Sequence, residues 1–143
     1  MYELVRVTDR SFYIDNPSKV GVWLDGETCY LIDSGNDKDA ARKIAQVVER
    51  EGWVCKGIIL THSNADHMGG AAALSARLKA PVYAAGMEAA VAKNPVLEPS
   101  LLYGGRPFSQ LRNKFLMAKP VDKVLEEPLP GGLWYIPLPG HYL

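Results

Sequence analysis

Leu60-Thr61-His62-Ser63-Asn64-Ala65-Asp66-His67-Met68-Gly69-Gly70 places two of the chain's three histidines and an aspartate within six residues. Directly before it, Gly57-Ile58-Ile59-Leu60-Thr61 is a short apolar run that suits a strand buried on both faces. Directly after the polar residues, Gly69 to Leu78 is rich in Ala and Leu and predicts a helix. The histidines therefore fall in a strand-to-helix turn, and loops at the carboxyl ends of sheet strands are where α/β proteins place ligands. Imidazole and carboxylate are the usual ligands for zinc and similar metals. His62 and Asn64, two apart on an extended turn, can point the same way. Asp66 and His67 open the helix, and their adjacent side chains are expected to diverge and serve two neighbouring metal positions. Gly69 and Gly70 leave room for close backbone packing. The plain alternative is a polar turn in which Asp66 is the helix N-cap.

Working outward, Glu3 to Thr8, Ser11 to Ile14, Val20 to Leu24 and Cys29 to Ile32 read as strands, with Asp25-Gly26 as a hairpin signal between the last two. A helix fits Asp37 to Glu51, where Ala41, Ile44, Ala45 and Val48 recur at helical spacing and Gly52 supplies a stop. Pro81 to Ala84 is a further strand and Met87 to Lys93 a short helix. From Asn94 to Pro120, prolines and glycines break the pattern while Leu101, Leu102, Tyr103, Phe108 and Phe115 keep it apolar. A loop that long reads as a lid or binding loop, or as an irregular packed connection. Strands at Lys123 to Leu125 and Leu133 to Ile136 follow, and the chain stops after Pro139-Gly140-His141-Tyr142-Leu143. This order gives a mixed α/β class.

At this point the sequence resembles the metallo-β-lactamase superfamily. That family's signature is T-H-x-H-x-D-H-x-G-G after a strand, against Thr61-His62-Ser63-Asn64-Ala65-Asp66-His67-Met68-Gly69-Gly70 here. Leu31-Ile32-Asp33-Ser34-Gly35 looks like the family's L-I-D-T-G turn, and Leu138-Pro139-Gly140-His141 like the start of its P-G-H-T-P-G motif. The strand meander before Asp33 is also similar. The resemblance implies an α/β fold in which a mixed sheet carries helices on one face, the first half of an αββα sandwich. Residues 1–143 would then form one partial domain, ending inside the family fold.

The resemblance also implies chemistry: a metal that lowers the pKa of a bound water, so that hydroxide attacks an ester, thioester, amide or phosphodiester. The implied metal ligands are His62, Asp66, His67 and His141, with Asn64 a weak ligand or a hydrogen-bonding neighbour. Asp66 and Asp33 are the candidate catalytic residues, Asp33 orienting a ligand or the water. Asn64 stands where the signature has its second histidine, and an amide oxygen is a harder, weaker donor than imidazole. The expected cofactor is zinc, or another divalent metal such as iron or manganese, weakly bound or absent. The family's other ligands come from the second half of its fold, so hydrolysis by this stretch is expected to be impaired. The reading from another class is a non-catalytic half-domain acting in binding or assembly.

Composition narrows the partners. Of 143 residues, 48% are apolar and 22% charged, a globular balance sufficient for one domain with a core. Sixteen basic residues offset sixteen acidic ones, so no strong field gathers nucleic acid or anionic lipid. Neither a membrane span nor a secretory signal is legible, and the partner expected is a small-molecule substrate. Cys29 and Cys55 stand in no metal-ligand spacing and read as buried thiols of a cytoplasmic protein, a disulfide being the minor alternative. Arg106, Arg112, Lys114 and Lys119 interleave with aromatics in the long loop and read as a solvated surface rather than a nucleic-acid site. No serine-hydrolase elbow, H-E-x-x-H, phosphate loop or C-x-x-C is found. A half-sandwich leaves an apolar face without a cover, which predicts a homodimer.

Overall fold

A computed structural model describes residues 2–142. Among them, one seven-stranded sheet follows the chain order from edge to edge. Strands β1 (Glu3–Arg6), β2 (Ser11–Asp15), β3 (Val20–Asp25) and β4 (Thr28–Ile32) form an antiparallel meander. The β3–β4 hairpin turns at Gly26 and Glu27, one residue beyond the expected Asp25-Gly26, and Gly26 takes φ +64°. The sheet then becomes parallel through β5 (Val54–Ile59), β6 (Val82–Tyr83) and β7 (Val124–Leu125).

Each parallel step needs a crossover. Helix α1 (Lys38–Arg50) supplies the first, capped by Asp37, whose carboxylate accepts from the Asp39 and Ala40 amides. Its apolar stripe, Ala41, Ile44, Ala45 and Val48, is buried. Helices α2 (Ala65–Met68) and α3 (Ala71–Leu78) make the second crossover, and α1 and α3 pack against each other and against β5. Ile14, Val20, Leu31, Ile58, Leu74 and Val82 close the core beneath these helices. Strand alternation turns Tyr30, Gly57 and Tyr83 to the other face, where Pro130 lies against Gly57 and the Gly131 backbone approaches Tyr30 closely. The α/β class with helices on one face of a mixed sheet is thus observed. Cys29 and Cys55 are register partners on β4 and β5, both buried and both free.

Four sequence expectations need correction. The helix expected over Gly69 to Leu78 begins at Ala65 and breaks at Gly69-Gly70. A Cβ on Gly69 or Gly70 would overlap the Asn36 or Ser34 carbonyl, so the break packs backbone on backbone. The stretch from Asn94 to Pro120, which follows helix α4 (Gly86–Lys93), is not one loop: it contains α5 (Leu97–Tyr103) and a 3-10 turn at Ser109–Leu111. Pro99 hides α5 from a sequence reading, yet it sits in the first turn, where its missing N–H leaves no intrahelical bond unmade. Leu133 to Ile136 forms no strand among the described residues; Trp134 and Ile136 are 75% and 68% exposed and find no sheet partner. Finally, β5 starts at Val54, three residues before the apolar run.

Candidate metal centre

The site is built at the carboxyl ends of β4 and β5. Beyond β4, the Asp33 amide still donates to the Ile59 carbonyl at 2.8 Å, so pairing continues past Ile32. Asp33 then adopts φ +69°, a left-handed conformation that aspartate tolerates better than most residues. This turn aims its nearly buried carboxylate at Thr61 and His67. The Thr61 amide donates to Oδ1 at 2.8 Å, the Thr61 hydroxyl lies 3.0 and 2.8 Å from the two carboxylate oxygens, and His67 Nδ1 lies 2.8 Å from Oδ2.

These bonds fix the tautomers. His67 donates Nδ1–H to Asp33, leaving Nε2 as its second nitrogen, and this bond raises the His67 pKa against the opposing effect of burial. The Thr61 hydroxyl spends its one hydrogen on Asp33, so its 2.9 Å contact with His62 Nδ1 must be one in which it accepts. His62 therefore carries its proton on Nδ1 and a lone pair on Nε2. Burial first, and the neighbouring His67 second, lower the His62 pKa and keep the ring neutral. His62 Nε2 is buried with no hydrogen-bond partner.

Asp33, His62 and His67 each present a ligand atom, all within 4.8 Å of one another. The His62 and His67 ring centroids are 4.3 Å apart, and His141 stands edge-on to His62 at 4.9 Å. Asn64 Oδ1 is also buried without a partner; although Asn64 occupies the cap position of α2, its side chain makes no cap bond. A buried imidazole lone pair and a buried amide oxygen, both unpartnered, beside a carboxylate-oriented second imidazole form a donor set that suits a divalent metal. Asp66 and His141 lie outside the compact triplet.

Asp66 is about half exposed, its Oδ2 3.4 Å from both the Ser18 hydroxyl and His67 Nε2. The Asp66 and His67 side chains thus converge rather than diverge: Asp33 holds His67 by Nδ1 and swings Nε2 back toward Asp66. Asp66 is the second residue of α2 and does not cap it. Sequence reasoning missed the relay through Thr61, which only the positive φ of Asp33 brings into reach. It also missed Ser34, whose amide and hydroxyl both donate to the His67 carbonyl at 2.8 Å and tie α2 to the turn after β4.

The profile described as "Metallo-beta-lactamase superfamily" matches residues 16–143. A hydroxyacylglutathione hydrolase of Dechloromonas aromatica (strain RCB) is 44% identical over 69 residues, which are 47% of this chain and 24% of the relative. Another of the same name, from Pseudomonas entomophila (strain L48), is 33% identical over 81 residues, 54% of this chain and 30% of the relative. Among solved structures, a metallo-β-lactamase from Cronobacter sakazakii superposes with a TM-score of 0.70 at 22% identity, over 94% of this chain and 50% of that one. A subclass B3 metallo-β-lactamase from a soil metagenome library gives 0.67 at 23% identity, over 88% and 46%. The matches therefore span about a quarter of the curated relatives' length and about half of the solved chains.

Proposed function

The chain belongs to the metallo-β-lactamase superfamily, and from that membership we propose that it is a metal-dependent hydrolase whose centre is built on Asp33, His62 and His67. The observation that carries the reading is the unpartnered, unprotonated Nε2 of His62 beside His67. His62 and His67 would hold the ion through Nε2, with His141, Asn64 Oδ1 and Asp66 as further ligands. Zinc suits the imidazoles, and iron or manganese suits a set richer in oxygen. When bound, the metal supplies a water of lowered pKa and polarises the acceptor oxygen.

The chain's own residues do the rest. Asp33 keeps His67 in one tautomer and, through Thr61, sets that of His62. Asp66, exposed at the rim, is placed to take and return a proton. Ester, thioester, amide and phosphodiester substrates share this chemistry, and the similarity to hydroxyacylglutathione hydrolases favours an acyl thioester. Asn64, a neutral amide within the ligand stretch, favours the second reading, a half-domain that keeps the fold without catalysis.

Hydrolysis of an acyl-glutathione thioester, nitrocefin and bis-nitrophenyl phosphate, each with and without zinc or manganese, tests the proposal. Metal-dependent turnover below about 1 per second, removed by His62→Ala, supports it. A metal-loaded chain that hydrolyses none of them supports the second reading.

A further inference from the structure

Helix α2 carries Asp66 and His67 yet has no cap of its own, because the Asn64 side chain bonds none of its amides. The bond that replaces it comes from 33 residues away: Glu98 Oε1 accepts from the Ala65 amide at 3.3 Å. Glu98 belongs to α5, is 3% exposed, and its second oxygen has no partner. Burying a carboxylate for a single long hydrogen bond gains little stability by itself. Its placement has a different consequence. With the Ala65 amide satisfied by Glu98, Asn64 Oδ1 is left out of capping and stays unpartnered. Ser63, between His62 and Asn64, is fully buried and lies beside the Glu88 carboxyl of α4.

Resting on the metal-centre reading above, we infer that Glu98 is a positioning residue: its carboxyl oxygen stands in for the missing cap of α2 and so sets the segment from Asn64 to His67 against the site.

The test compares the parent chain with Glu98→Ala, Glu98→Gln and Val22→Ala, the last a core truncation in β3, away from α2. Two readouts are taken: amide hydrogen exchange of residues 64–68 in the metal-free protein, and zinc affinity by titration calorimetry. Glu98→Ala is expected to speed exchange in that segment at least about tenfold beyond the global loss of stability, and to weaken zinc binding about tenfold. Glu98→Gln keeps the acceptor oxygen and is expected to restore both to within about threefold of the parent. Unchanged local exchange in Glu98→Ala, or the same local change in Val22→Ala, overturns the inference. Should the parent bind neither zinc nor, in a parallel titration, manganese, the metal reading fails, while the exchange data still decide the role of Glu98.

Discussion

Asn64 presents a carboxamide oxygen where an imidazole would be the stronger zinc ligand, and that oxygen is buried and unpartnered. Replacing it with histidine adds an imidazole beside His62 and His141. Asn64→His is therefore expected to tighten zinc binding at least about tenfold, or roughly 1.4 kcal/mol, by titration calorimetry. His141→Ala in that background should remove most of the gain. Equal affinity for parent and Asn64→His would mean that position 64 does not face the ion. Glu98 gives a pH signature. Burial raises its pKa from 4.5 to about 7, so the folded chain binds this proton more tightly than the unfolded one. Its stabilising contribution is complete below about pH 4.5 and is lost as pH rises through about 7, a change on the order of 3 kcal/mol. Glu98→Gln should flatten that stretch of the stability–pH curve, measured by urea unfolding; an unaltered slope would contradict it. The candidate site residues were legible because His62, Asn64, Asp66 and His67 fall within six residues and Asp33 closes a strand. Their orientations were not, since these depend on one left-handed backbone angle and one threonine hydroxyl.

Among the elements, α1 is the clearest from sequence to structure. Its apolar residues recur at helical spacing, and Asp37 caps it through two amides at 3.0 Å. Those amides, first the one at Ala40, and then Lys114 Nζ at 2.9 Å, hold the Asp37 carboxyl below its usual pKa. Asp37→Ala is expected to cost about 1 kcal/mol, read as a lower urea midpoint, with Asp37→Asn closer to the parent. Equal losses for the two would make the Lys114 pair, not the cap, the dominant contact. Elements whose residues alternate or recur over several turns were legible in this way. Helix α5 was not, because Pro99 reads as a breaker until its place in the first turn is known. The apolar run at Leu133 to Ile136 misled in the opposite sense: β-forming residues become a strand only where a neighbouring edge pairs with them.

At the scale of the whole molecule, the described residues leave Trp134, Ile136 and Leu138 at 75%, 68% and 84% exposure along one stretch. Exposed apolar side chains of this kind suit an interface, and we propose a homodimer. Light scattering at micromolar concentration should give twice the 15.7 kDa chain mass, and a monodisperse monomer would count against it. Among the described residues no helix is long and apolar enough to cross a membrane. The sheet, its parallel half and the crossover helices bring Asp33, His62 and His67 together at the carboxyl ends of β4 and β5, and the functional reading rests on that convergence. Calorimetric titration of the parent and of His62→Ala with zinc and with manganese tests it most directly. The account predicts saturable binding of at least one of these ions to the parent, weakened by about tenfold to a hundredfold in His62→Ala. Binding of neither ion, or equal affinity in the two proteins, would contradict it.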